Sequence, residues 1–75
     1  MLNYYYNYAI IDRESGLCLE VRTATNDQSG ESNEYELYVS IPTYTEDYLM
    51  KYYDESTGKW YYDAAMTNEW TPPTE

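Results

Sequence analysis

Histidine and phenylalanine are missing from this 75-residue chain, and cysteine occurs once, at Cys18. Each absence removes a class of chemistry. Without histidine, neither a Ser-His-Asp nor a Cys-His arrangement can be built, and the common zinc-ligand sets are lost. A single cysteine excludes an intramolecular disulfide. The three glycines, Gly16, Gly30 and Gly58, stand far apart, so no glycine-rich phosphate loop exists. Only four cations oppose fourteen carboxylates, for a net charge of −10. That balance argues against direct binding to nucleic acid or to an anionic membrane, since both need a basic patch. No apolar run approaches the roughly 20 residues that span a bilayer. Met1-Leu2-Asn3 lacks a basic leader and runs straight into tyrosines, which points to a cytoplasmic product.

Tyrosine is what the chain has in abundance: 12 residues, beside Trp60 and Trp70. A chain this short buries only about 60% of its unfolded surface, so its core is thin. With no disulfide to help, aromatic packing or self-association is the expected supplement. Tyrosine carries a large ring and a hydroxyl that needs a partner, so it suits half-buried sheets and interfaces.

The pattern along the chain is that of strands. From Tyr4 to Asp12, one face carries Tyr4, Tyr6, Tyr8 and Ile10, and the other carries Tyr5, Asn7, Ala9 and Ile11. Both faces are partly apolar, which predicts a strand covered on one side by the core and on the other by a partner. From Leu17 to Thr23, strict alternation puts Leu17, Leu19 and Val21 inward, with Cys18, Glu20 and Arg22 outward. Residues 24–34 are polar and aperiodic and read as a mobile loop. Tyr35, Leu37, Val39 and Ile41 then mark a half-buried strand that Pro42 ends. Thr45-Glu46-Asp47 resembles a helix start, good for a turn or two. A second hairpin is predicted over Met50–Asp54 and Lys59–Asp63.

The two hairpins share a turn. Asp12-Arg13-Glu14-Ser15-Gly16-Leu17-Cys18 and Asp54-Glu55-Ser56-Thr57-Gly58-Lys59-Trp60 both read D-x-x-[ST]-G-x-[CW]. Aspartate bonds the turn backbone, Ser/Thr assists, and glycine takes the left-handed position. The predicted fold is mainly β: an antiparallel meander of about five strands, with at most one short helical turn. Residues 1–70 form one small domain and 71–75, with Pro72-Pro73, a frayed tail.

Site chemistry is sparse. Paired acids such as Glu46-Asp47 and Asp54-Glu55 need a cleft to act as catalysts, and a meander of this size rarely supplies one. Residues 26–31 offer oxygen atoms without EF-hand spacing. No catalytic residue, metal or cofactor is therefore expected. Cys18 reads as a small packed thiol rather than a reactive one. Trp60, Tyr62 and Trp70, with Tyr4 and Tyr6, are the candidate binding surface. The same aromatics also suit a mini-core for the second hairpin.

Two resemblances follow from the stretch after Ile41. Gly58-Lys59-Trp60-Tyr61-Tyr62 is similar to the start of a choline-binding repeat. That likeness implies aromatic cages for choline or wall glycans, built here from Trp60, Tyr62 and Trp70. Asp54, Thr57, Gly58, Trp60, Tyr61, Asp63, Ala64, Thr67 and Trp70 form a broader pattern. It resembles small acidic proteins encoded in the tail-to-lysis region of phages and prophages of Gram-positive bacteria. That resemblance implies a non-enzymatic structural or accessory protein, made in the bacterial host cytoplasm and virion-associated. It would act by association with itself or with a phage structural protein. Two alternatives stay open: an acidic mimic of DNA that inhibits a host DNA-binding protein, and an aromatic cell-wall or carbohydrate-binding module.

Overall fold

The computed structural model describes residues 5–72. Tyr4 of the candidate binding surface and the end of the predicted frayed tail, 73–75, lie outside the described residues. The fold is mainly β, with six strands among the described residues, in two antiparallel sheets of three. In chain order they are β1 (Tyr6–Asp12), β2 (Cys18–Ala24), β3 (Glu36–Ile41), β4 (Tyr52–Asp54), β5 (Lys59–Tyr61) and β6 (Glu69–Trp70). The first sheet has the order β2-β1-β3, and the second runs β4-β5-β6. Two 3₁₀ turns, Ser29–Glu31 and Glu46–Tyr48, interrupt the connections. Among the described residues no helix is long and apolar enough to cross a membrane.

Both predicted hairpins form around the shared turn, with matching bonds. Gly16 N–H donates to the Asp12 carbonyl and Gly58 N–H to the Asp54 carbonyl, each at 2.7 Å. Asp12 Oδ1 accepts from Glu14 N–H (3.1 Å), as Asp54 Oδ1 does from Ser56 N–H (3.0 Å). The Ser15 and Thr57 hydroxyls accept from the next-but-one N–H in each copy. Gly16 has φ +81° and Gly58 φ +77°, a region closed to most side chains. The helix start is also present: Thr45 caps the 3₁₀ turn by accepting from Asp47 N–H at 3.2 Å. It stops at Tyr48, and the chain reverses at Met50 (φ 67°) before entering β4.

β1 is the central strand, and Tyr8, Ala9, Ile10 and Ile11 are all buried. Over Tyr8 to Ile11 both faces of the strand are covered within the chain, while Tyr5 and Tyr6 stay exposed. On one side, Ala9 and Ile11 face the second sheet together with Val21, Cys18 and Ile41. On the other, the loop predicted to be mobile is tied down over Tyr8. The Tyr8 hydroxyl donates to Asp27 Oδ1 and accepts from Gln28 N–H, both at 2.8 Å. The Tyr38 ring packs edge-on against Tyr8 at 5.8 Å. Arg22 of β2 reaches across β1 to the Tyr38 hydroxyl (2.9 Å), while Glu20 holds its guanidinium.

One facing prediction is reversed. Cys18 is fully buried, whereas Leu19 is 55% exposed. The register explains it: Ile10 faces Glu20, but Ile11 faces Cys18, so Leu19 is an extra residue in a β-bulge. A bulge shifts the side-chain phase by one, which strict alternation from sequence cannot anticipate. Leu17, predicted inward, is half-buried and bridges to Tyr52 of β4. Glu69–Trp70 adds a sixth strand beyond the five that patterning predicts.

Candidate functional site

The second sheet is built around Trp60. The Gly58 turn delivers it to β5, where it pairs with Tyr53 of β4 on one side and Trp70 of β6 on the other. Tyr48, carried by the capped 3₁₀ turn, closes the group. Ring centroids lie 4.9 Å (Tyr48–Trp60), 4.8 Å (Tyr53–Trp60), 5.0 Å (Tyr48–Trp70) and 6.0 Å (Trp60–Trp70) apart, mostly edge-to-face. That geometry suits ring quadrupoles. Burial raises the Tyr48 hydroxyl above its ordinary pKa, and burial with the Glu55 and Asp54 charges does the same for Tyr53.

This cluster docks on the first sheet. Trp60 and Tyr48 share a core with Ala9, Ile11, Cys18, Val21 and Ile41, and Leu37, Val39, Tyr53 and Trp70 pack against it. Lys51 seals the outer side. Its ammonium stands 4.8 Å over the Trp70 ring and 5.5 Å over Tyr62, and donates to the Asp47 carbonyl at 2.8 Å. Beside the cluster, between β3 and β6, lies an open and largely apolar groove of about 440 Å³. Val39, Ser40 and Ile41 form one wall, and Glu69, Trp70 and Pro72 the other.

The candidate residues therefore separate. Trp60 is a core residue at 5% exposure. Trp70 is half-buried beside it, and Tyr62 is exposed and shares the Lys51 ammonium with Trp70. Tyr6 is exposed on the opposite face of β1, in the alternation of Tyr8 and Ile10, away from the tryptophans. Tyr48, Tyr53 and Lys51 belong to the site and were not among the candidates. Hairpin register would have found Tyr53, which lies directly across from Trp60. Tyr48 and Lys51 arrive by tertiary folding and carry no local signal.

Cys18 has the character of a packed thiol. Burial pushes its pKa up to about 11, and its Sγ lies 3.5 Å from the Glu20 carbonyl. Thiolate chemistry at neutral pH is thereby suppressed. Comparison with protein-family models, curated proteins and solved structures finds no match. The site is thus defined by its own geometry: a packed aromatic cluster with an open groove along one flank.

Proposed function

We propose that this chain is a small non-enzymatic accessory protein of phage or prophage type, working by protein–protein association through Tyr- and Trp-rich surface. The observation that carries the reading is the groove, which keeps apolar surface beside Trp60 and Trp70 accessible after the core has closed. Exposed Tyr5, Tyr6, Leu19, Tyr35, Tyr44 and Tyr62 add large rings and apolar area elsewhere on the surface. Such residues are enriched where proteins meet. The resemblance of the Asp54–Trp70 pattern to small acidic phage proteins supplies the setting, a bacterial host and a virion.

The alternatives draw less support. A DNA mimic needs carboxylates free to form a phosphate-like array. Asp12, Asp54 and Asp63 instead accept bonds from their own turns. An aromatic cage for a quaternary ammonium needs open ring faces. Lys51 already stands over Trp70 and Tyr62.

Solution mass tests association directly. Size-exclusion chromatography with light scattering, run to high micromolar concentration in buffer salty enough to screen the net charge, should give a mass above one chain. The exposed-surface variant Tyr6→Ser/Leu19→Ser should shift it back toward the monomer. A strict monomer at every concentration would remove self-association from the reading.

A further inference from the structure

The two sheets are one ribbon, folded over and joined along one edge. Cys18 N–H donates to the Lys51 carbonyl (2.8 Å), Met50 N–H to the Cys18 carbonyl (3.1 Å) and Tyr53 N–H to the Gly16 carbonyl (2.8 Å). Across the ribbon the strands therefore run β3-β1-β2-β4-β5-β6. The fold brings the two end strands, β3 and β6, to opposite walls of the groove, and among the described residues no pairing joins them. The result is a ribbon folded over on itself, with an open seam between its two end strands.

Both walls of the seam carry outward backbone groups. On β3 these belong to Glu36, Tyr38 and Ser40. Asn33 N–H donates to the Glu36 carbonyl and Tyr38 N–H to Ser32 Oγ, so the loop covers the first part of this edge. Ser40 is next in the alternation and borders the groove. On β6, the Asn68 carbonyl accepts from Tyr62 N–H, which turns Asn68 and Trp70 toward β5 and Glu69 outward. Glu69 borders the same groove. Unpaired strand edges are templates for another strand, and apolar pockets beside them select its side chains.

Charge decides what kind of strand fits. The chain carries −10. Arg13 and Arg22 are paired to Glu55 and Glu20, and Lys51 is held over its two rings. On the groove itself Lys59 and Glu69 offset each other, so the field of the whole chain prevails. It draws in a basic segment and repels a second copy, which carries the same charge.

We propose that the groove receives an extended strand of a basic partner protein, which pairs with Ser40 of β3 and Glu69 of β6 and sets an apolar side chain against Trp60 and Trp70. This names a partner for the association reading above and rests on it. Because both tryptophans lie at the groove, their fluorescence reports occupancy. The probe is a capped octapeptide alternating lysine and valine, with one central leucine. It should give a saturable change in emission. Affinity should fall about tenfold when backbone N-methylation removes the strand's donors, the loss expected for one or two hydrogen bonds. Ser40→Pro and Glu69→Pro, each placed on an outward edge N–H, should weaken binding similarly while melting near the parent. A glutamate-for-lysine peptide should not bind. No emission change at millimolar peptide overturns the proposal, as does equal binding of the charge-reversed or N-methylated peptide. A dimer abolished by Ser40→Pro would assign the groove to a second copy and also overturn it. So would peptide binding that appears only after truncation beyond Pro72, since the chain's own tail is then the occupant. If the peptide fails while light scattering still reports association, only the strand proposal falls.

Discussion

Replacing Trp60 by alanine should unfold this protein at moderate temperature, because Trp60 is the point where the two sheets meet. The residue is 5% exposed, and its ring packs on Tyr48, Tyr53 and Trp70 at centroid distances of 4.8 to 6.0 Å. It also belongs to the apolar cluster of the first sheet, with Ala9, Ile11, Val21 and Ile41. Truncating a buried tryptophan costs about 3–5 kcal/mol. A chain of this length has a total stability of about 4–11 kcal/mol. In a domain this small each kcal/mol moves the midpoint by about 4–8 °C, so the loss is about 12–40 °C. Without that ring the second sheet keeps only the backbone bonds near Gly16 and Cys18 and its half-buried aromatics, and a hairpin of three-residue strands is marginal in water. Thermal melting by circular dichroism checks this, with Trp70→Ala as the comparison. Trp70 is only half-buried at the sheet edge, so its variant should melt between Trp60→Ala and the parent. A Trp60→Ala protein melting within a few degrees of the parent would refute the anchoring argument and return Trp60 to the binding surface.

Other perturbations have defined signs. Gly58→Ala makes only an ordinary van der Waals contact, 3.8 Å from the Tyr53 hydroxyl oxygen, but must hold φ +77°, so it should cost about 1–2 kcal/mol in urea denaturation. Gly16→Ala should cost more, because its Cβ would also lie 3.2 Å from the Tyr53 backbone carbonyl. The Cys18 thiol is raised from an ordinary 9.0 to about 11, so the fold holds a proton that the unfolded chain releases. Stability should therefore fall as pH rises from about 9 to 11, and Cys18→Ala should flatten that slope in denaturant titrations. The Asp63 carboxyl is held below its ordinary 3.8 by the Thr67 hydroxyl and then by the Asn68 and Thr67 N–H groups. Its contribution is present above that pH and lost as pH falls through the depressed value, so Asp63→Asn should lessen the acid sensitivity of the melting temperature.

Local chemistry made part of this molecule legible. Both glycine turns, the Thr45 cap and the alternation that sends Leu37, Val39 and Ile41 to the core depend on residues a few positions apart. Their energetics are settled within that span, so the sequence by itself determined two hairpins, a third apolar strand and a mainly β fold. It also determined the acidic surface, through fourteen carboxylates against four cations. What it did not determine depends on contacts far apart in the chain. The bulge that buries Cys18 and exposes Leu19 arises where β2 must match β1 and meet Lys51, just before β4, at once. The second face of β1 is covered by Asp27 and Gln28 because Tyr8 needs a partner for its hydroxyl, and no local pattern says which loop supplies it. Trp60, Trp70 and Tyr62 look equivalent as letters, yet the first is core, the second is wall and the third is surface. Only the folding of the ribbon onto itself separates them, because burial is a property of what arrives from the other sheet. The groove belongs wholly to that level: it exists because β2 and β4 join while β3 and β6 do not.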